Sequence, residues 1–274
     1  MKFLLTAINA KFIHSNPAIY SLRAGVGEKL QPYMELAEFT INESPESILE
    51  GIWKRQPKVI GFSCYIWNWK LIREILTELP KILPDTEIWL GGPEVTYDGP
   101  GLLREFPQVT GIMVGEGEVT FREVLDHYVR ETETAGQSEQ QPEPDRIEQQ
   151  AADRTGTVAG KSVAERFGQI PGLCLASGYT APRELTDLTM LPFLYEDMEP
   201  FTNRIIYYET SRGCPYRCSY CLSSIDKKVR LRDIDVVKRE LQFFLDQNVK
   251  QVKFIDRTFN CESQTCHGDL AVYL

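Results

Sequence analysis

Five apolar runs of strand length, separated by helical patterns, fill the first 130 residues and leave little choice of fold. They are KFLLTA (2–7), MELAEFTI (34–41), KVIGFS (58–63), EIWLGG (87–92) and GIMVGEGE (111–118). Pro17 suits the first turn of a helix after the first run. Ser44-Pro45 pairs an N-cap residue with a helix-starting proline, and Ile48, Leu49 and Ile52 supply the apolar stripe. LIREILTEL (71–79) places Leu71, Ile75 and Leu79 on one helical face, and a last helix runs to about Arg130. Repeated strand–helix alternation implies an α/β fold: a doubly wound, Rossmann-like parallel sheet with helices on both faces. Ligands of such sheets lie at the carboxyl ends of the strands.

The chain has the apolar content to build such a core, 42% hydrophobic against 25% charged. Its net charge of -9 argues against nucleic acid as a main partner, because phosphate binding relies on clustered Lys and Arg. No run approaches the ~20 apolar residues of a membrane span. Lys11 interrupts the apolar start, which reads as a buried strand rather than a signal peptide. Seven cysteines, an odd number, fit a reducing cytoplasm.

The character changes after residue 130. The stretch ETETAGQSEQQPEPDRIEQQAADRTG (131–156) has almost no large apolar residue and cannot offset its ordering entropy. Residues 131–169 are therefore read as a disordered acidic linker. Residues 170–203 read as a connector, with a hairpin in GLCLASGYT (172–180) and an extended run in 182–201. RIIYYETSRG (204–213) is a strand running into a glycine turn. DIDVVKRELQFFLDQ (233–247) is an amphipathic helix with Ile234, Val237, Leu241, Phe244 and Leu245 at helical spacing. VKQVKFIDRTF (249–259) carries the next strand.

Between the strand at 204–213 and the helix at 233–247 stands Cys214-Pro-Tyr-Arg-Cys218-Ser-Tyr-Cys221. Three thiols on one tight loop suit a cubane cluster, and three ligands for four irons leave one iron open. Zinc, the competing reading, wants four ligands and would have to recruit Cys261, Cys266 or His267.

The spacing C-x3-C-x-aromatic-C resembles the signature loop of radical S-adenosylmethionine (SAM) proteins, with Tyr220 at the aromatic position. The resemblance implies a [4Fe–4S] cluster on Cys214, Cys218 and Cys221 whose open iron chelates SAM. It also implies an adenine contact from Tyr220 and a one-electron reductant such as flavodoxin or ferredoxin. Asp256, at the mouth of the next strand, would contact the SAM amino group or serve as a turn residue.

An α/β domain ahead of such a loop resembles the cobalamin-binding branch of that family. Ser63, the pair Gly91-Gly92, and Gly115-Glu116 fall at three successive strand ends where that branch holds its cofactor. His14 lies in the first loop, but the Asp and Gly that accompany a cobalt-binding His elsewhere are absent. His14 is thus a cobalamin candidate of lesser weight.

Four segments result: a cobalamin-binding-like domain (1–130), a linker (131–169), a connector (170–203) and the start of a radical SAM partial barrel (204–274), read as incomplete. The function expected is cobalamin-associated radical chemistry such as methyl transfer on a small-molecule or unknown substrate, with this shortened chain inactive by itself. The alternative is a non-catalytic cobalamin-type module with a vestigial or zinc-binding cysteine loop.

Overall fold

A computed structural model describes residues 2–138, 161–216, 218–222 and 228–259. The chain divides into two compact units: Met1–Phe12 with Ala18–Leu185, and Ile13–Pro17 with Thr186–Leu274. The candidates Cys261, Cys266 and His267 lie outside the described residues.

The first unit is built on a sheet of order β2-β1-β3-β4-β5-β6-β7. Its parallel strands are β1 (Phe3–Asn9), β2 (Met34–Thr40), β3 (Val59–Ser63), β4 (Glu87–Gly91) and β5 (Val109–Met113). All seven residues of β1 are buried, as expected of a central strand covered on both faces. The crossovers are α1 (Pro17–Gly25), α2 (Pro45–Trp53), α3 (Trp69–Ile82) and α4 (Gly99–Glu105), with α5 (Gly117–Ser138) following β5.

Ser44 caps α2 by accepting from the Ser47 amide, and Pro45 opens the helix, as its sequence predicts. α3 is longer than expected and its face is rotated: Ile72, Ile75, Leu76 and Leu79 are buried, and Leu71 only partly. α4 has no counterpart in the sequence reading, because GPGLLRE is short and opens with glycine and proline. The fifth run stops at Met113 rather than Glu118, since Gly115 takes φ +82° and α5 begins at Gly117.

Two parts of the segment read as linker are structured. α5 continues to Ser138, and α6 (Val163–Phe167) follows a capping box of Ser162 and Glu165. The Arg166 side chain, 1% exposed, pairs with Glu87 at 3.0 Å and Glu131 at 2.8 Å. Phe167 is buried against Trp89, His127 and Tyr128. Average composition concealed these two anchors at the end of a polar stretch. β6 (Leu173–Leu175) and β7 (Gly178–Tyr179) form the expected hairpin, and β6 joins β5 antiparallel, so the sheet is mixed at that edge.

In the second unit β8 (Ile206–Tyr208) pairs parallel with β11 (Val252–Phe254). β9 (Ser211–Arg212) pairs antiparallel with β10 (Arg230–Leu231). α7 (Ile234–Asp246) is capped by Asp233. It buries Val237, Glu240 and Phe244, whereas Leu245 is 70% exposed, so the apolar stripe is narrower than expected. The run read as an extended connector carries core residues of this unit: Leu188, Tyr195 and Phe201 are buried, and Tyr195 packs on Phe193, Phe201 and Phe244. No helix among the described residues is long and apolar enough to cross a membrane.

Candidate functional site

In the first unit, register aligns the carboxyl ends of the central strands. Ala7 sits beside Ser63, Ser63 beside Gly91, and Gly91 beside Met113. Neighbouring parallel strands lie roughly 4.8 Å apart, so this row forms one rim. The loop leaving β3 is tied to it: the Cys64 amide donates to the Gly91 carbonyl at 2.7 Å. Asn68, fully buried, accepts from the Tyr65 amide and donates to the carbonyls of Ile8 (3.0 Å) and Ser63 (2.9 Å). Nothing in the spacing of Asn68 marked it as the knot of this loop.

The two glycines after β4 differ. A Cβ on Gly91 would meet Met113 at an ordinary 3.7 Å. Gly92 has φ +110°, and its Cβ would lie 2.5 Å from the Cys64 carbonyl oxygen. The domain's own backbone therefore demands glycine there. Gly115 needs its glycine for φ +82°, with open space where a Cβ would stand. Glu116 is half-buried, and Glu118 is buried and accepts from the Ser21 hydroxyl at 3.0 Å, joining the start of α5 to α1.

Aromatic side chains crowd the same rim. Tyr65 and Trp67 stack with centroids 4.4 Å apart and planes 8° apart, while Ile66 is 82% exposed. Trp69 instead packs against the core near Phe106.

His14 belongs to the second unit. It bridges to Ile205, its ring stacks on Tyr207, and its Nδ1 hydrogen-bonds with the Tyr207 hydroxyl. The Ser15 hydroxyl donates to the Ile205 carbonyl at 3.1 Å.

The cysteine loop follows β9. Gly213 turns the chain with φ +95°, and a Cβ there would run into the Lys228 carbonyl. Cys214, Cys218 and Cys221 are all half-buried, and the Cys221 amide donates to the Cys218 carbonyl at 3.1 Å. Tyr220 is 91% exposed. Among the described residues, no three His, Cys, Asp or Glu side chains converge as a site for a single metal ion. A cubane differs from a lone ion in taking its thiolates on separate irons.

Asp256 is heavily engaged. It accepts from the Thr210 amide at 3.1 Å, from the Thr210 hydroxyl, and from the Ser211 hydroxyl at 2.6 Å. Two residues further, the Thr258 hydroxyl lies 3.3 Å from Cys214 Sγ. Deeper in the unit, Tyr208 donates to Glu240, which Arg232 holds with two bonds of 2.7 Å. Burial, helped by the Glu240 carboxylate, pushes the Tyr208 hydroxyl's pKa up.

Residues 5–125 match the family described as the B12 binding domain. A 2-(S-pantetheinyl)-carbapenam-3-carboxylate methyltransferase of Streptantibioticus cattleyicolor is 26% identical over 233 residues, covering 79% of this chain and 30% of that protein. The cobalamin-dependent radical SAM methyltransferase TokK of Streptomyces tokunonensis is 27% identical over 215 residues, covering 74% of this chain and 28% of TokK. This chain thus spans less than a third of each relative's length. Among solved structures, OxsB with aqua-cobalamin and S-adenosylmethionine bound superposes with a TM-score of 0.68 at 16% identity, over 96% of this chain and 35% of OxsB. TsrM from Kitasatospora setae, solved with cobalamin and a [4Fe–4S] cluster, gives 0.59 at 18% identity, over 94% and 49%. These two likenesses are of fold.

Proposed function

We propose, from the premise that residues 5–125 form a B12-binding domain, that this chain is the cofactor-holding part of a cobalamin-associated radical SAM methyltransferase. The observation that carries the reading is the loop of three half-buried cysteines that Gly213 turns out of β9. The cofactors, when bound, supply radical generation from SAM and carriage of a methyl group.

Cys214, Cys218 and Cys221 supply three thiolates and leave a fourth iron position for a non-protein ligand. Tyr220 offers an exposed aromatic face to an adenine ring. In the first unit Ser63, Gly91, Gly115 and Glu116 edge the strand-end rim that would receive cobalamin, at the place where doubly wound sheets take ligands. Gly92 serves that site indirectly, by letting two backbone segments meet. His14 is assigned to the scaffold of the second unit, since its Nδ1 and its backbone neighbours are engaged by Tyr207 and Ile205. Asp256 is assigned to holding Thr210 and Ser211 rather than to gripping SAM. A small molecule is the substrate class that the relatives suggest, and a flavodoxin- or ferredoxin-type protein is the reductant class.

Anaerobic reconstitution with iron and sulfide tests the reading. About four irons per chain, lost in Cys218→Ala and kept in Cys174→Ala, is the expected result. Retention of zinc without sulfide would instead favour a closed structural site. Hydroxocobalamin titrated into the same protein should shift its visible bands; no shift at tens of micromolar ligand would remove cobalamin from the proposal.

A further inference from the structure

We infer that Thr258 is a positioning residue for the cluster: its hydroxyl donates a hydrogen bond to the Cys214 sulfur and raises the cluster's reduction potential. The inference rests on the cluster reading above and goes beyond it by naming an outer residue that tunes the site.

The contact is Thr258 Oγ1 to Cys214 Sγ at 3.3 Å, within the reach of a hydrogen bond to sulfur. In the free protein either atom can donate. Once the sulfur is an iron-bound thiolate it has no proton, and only the hydroxyl can donate. The bond then has one direction, toward the charge.

Thr258 is held for that task. Two residues earlier, Asp256 binds the Thr210 amide and the Thr210 and Ser211 hydroxyls. Those residues lead directly into Gly213 and Cys214. Ile255 is anchored too, its amide donating to the Tyr208 carbonyl at 2.9 Å. The segment after β11 therefore grips the cysteine loop at two points, the chain before it through Asp256 and its first thiol through Thr258. The fixed backbone spares the Thr258 contact most of the ordering entropy an unrestrained side chain would lose.

The electrostatic consequence has a definite sign. Reduction adds one electron to the cluster and leaves the hydroxyl proton on Oγ1. The added negative charge spreads onto the sulfurs, so a donor stabilises the reduced state more than the oxidised one. Hydrogen bonds to cluster sulfurs are a recognised control of reduction potential. Removing the donor lowers the potential and makes the cluster harder to reduce.

The test uses the full chain, reconstituted with iron and sulfide and titrated with dithionite under electron paramagnetic resonance. Thr258→Val keeps the shape and removes the donor; Thr258→Ser keeps the donor. The expected result is a midpoint moved to more negative potential in Thr258→Val, unmoved in Thr258→Ser, with parent iron content in both. A Thr258→Val midpoint equal to the parent's, with iron content intact, overturns the inference and leaves the cluster reading standing. Loss of the cluster in Thr258→Val but not in Thr258→Ser supports it, since only the hydroxyl separates those two. Loss in both overturns it, because the contact would then be one of packing. A parent chain that takes up no iron overturns the cluster reading itself, and this inference with it.

Discussion

In the first unit, β1 buries seven consecutive residues and α2 and α3 cover the sheet with isoleucine and leucine. In the second, the described strands are two or three residues long, and side-chain polar bonds fix them: Asp256 to Thr210 and Ser211, Arg232 to Glu240, Tyr207 to His14. The contrast follows from ladder length. A strand of seven residues aligns itself by many backbone bonds and a buried face, whereas one of three is held in register by its neighbours. The strand-end rim of the first unit is thus set mainly by backbone ladders and apolar packing, with Asn68 tying one loop to it, and the cysteine loop by a few polar side chains.

The sharpest way to break this contrast is Phe167→Ala. Phe167 is 0% exposed and meets Trp89, His127 and Tyr128. Its truncation should cost the first unit about 3–5 kcal/mol, read as a lowered urea midpoint. A cost under about 1 kcal/mol, within the range of surface substitutions and small adjustments, would show that α6 does not contribute to that core.

Asp256→Asn should have a smaller and local effect, about 1–3 kcal/mol, by leaving buried donors imperfectly paired. Hydrogen exchange should quicken in residues 204–213 and 249–259 while β1 and β3 stay protected. Equal loss of protection in both units would mean that the Asp256 tie is not local to the second.

The smallest effect is that of acid on the first unit. Burial pushes the carboxyls of Glu131 and Glu35 upward, but Arg166 with His127 for the one, and Lys2 and Arg55 for the other, outweigh it and leave both lowered. Lowered folded values mean that these pairs stabilise the fold above the ordinary carboxylate pKa, about 4.3. That contribution drains away as pH falls through the lowered values. Unfolding midpoints measured from pH 6 downward should be flat at first and then decline; a rise on acidification would contradict the pairing.

The parallel sheet was legible because its strands are mostly apolar runs separated by helical patterns, and the cysteine loop because three cysteines lie within one short stretch. What escaped the sequence depends on chain-distant partners. Arg166 and Phe167 look unremarkable until Glu87 and Trp89 come beside them. Asn68 is one asparagine among several until Ile8 and Ser63 present their carbonyls. Thr258 is 44 residues from Cys214, and no spacing rule links a threonine to a cysteine at that distance. The close approach of Gly92 to Cys64 is likewise invisible in the sequence, since it joins the ends of two separate strands.

The thiols among the described residues are sorted by exposure, and this sets how they would age in air. Cys64 and Cys174 are 0% exposed, and burial raises the pKa of both, leaving little thiolate for an oxidant to attack. Cys214, Cys218 and Cys221 are open to solvent in part. Among the described cysteines, oxidative damage would fall first on the loop that carries the proposed chemistry and last on the sheet that carries the fold. A preparation spoiled in this way would keep its shape and its helix content, and would pass for intact by any measure of folding.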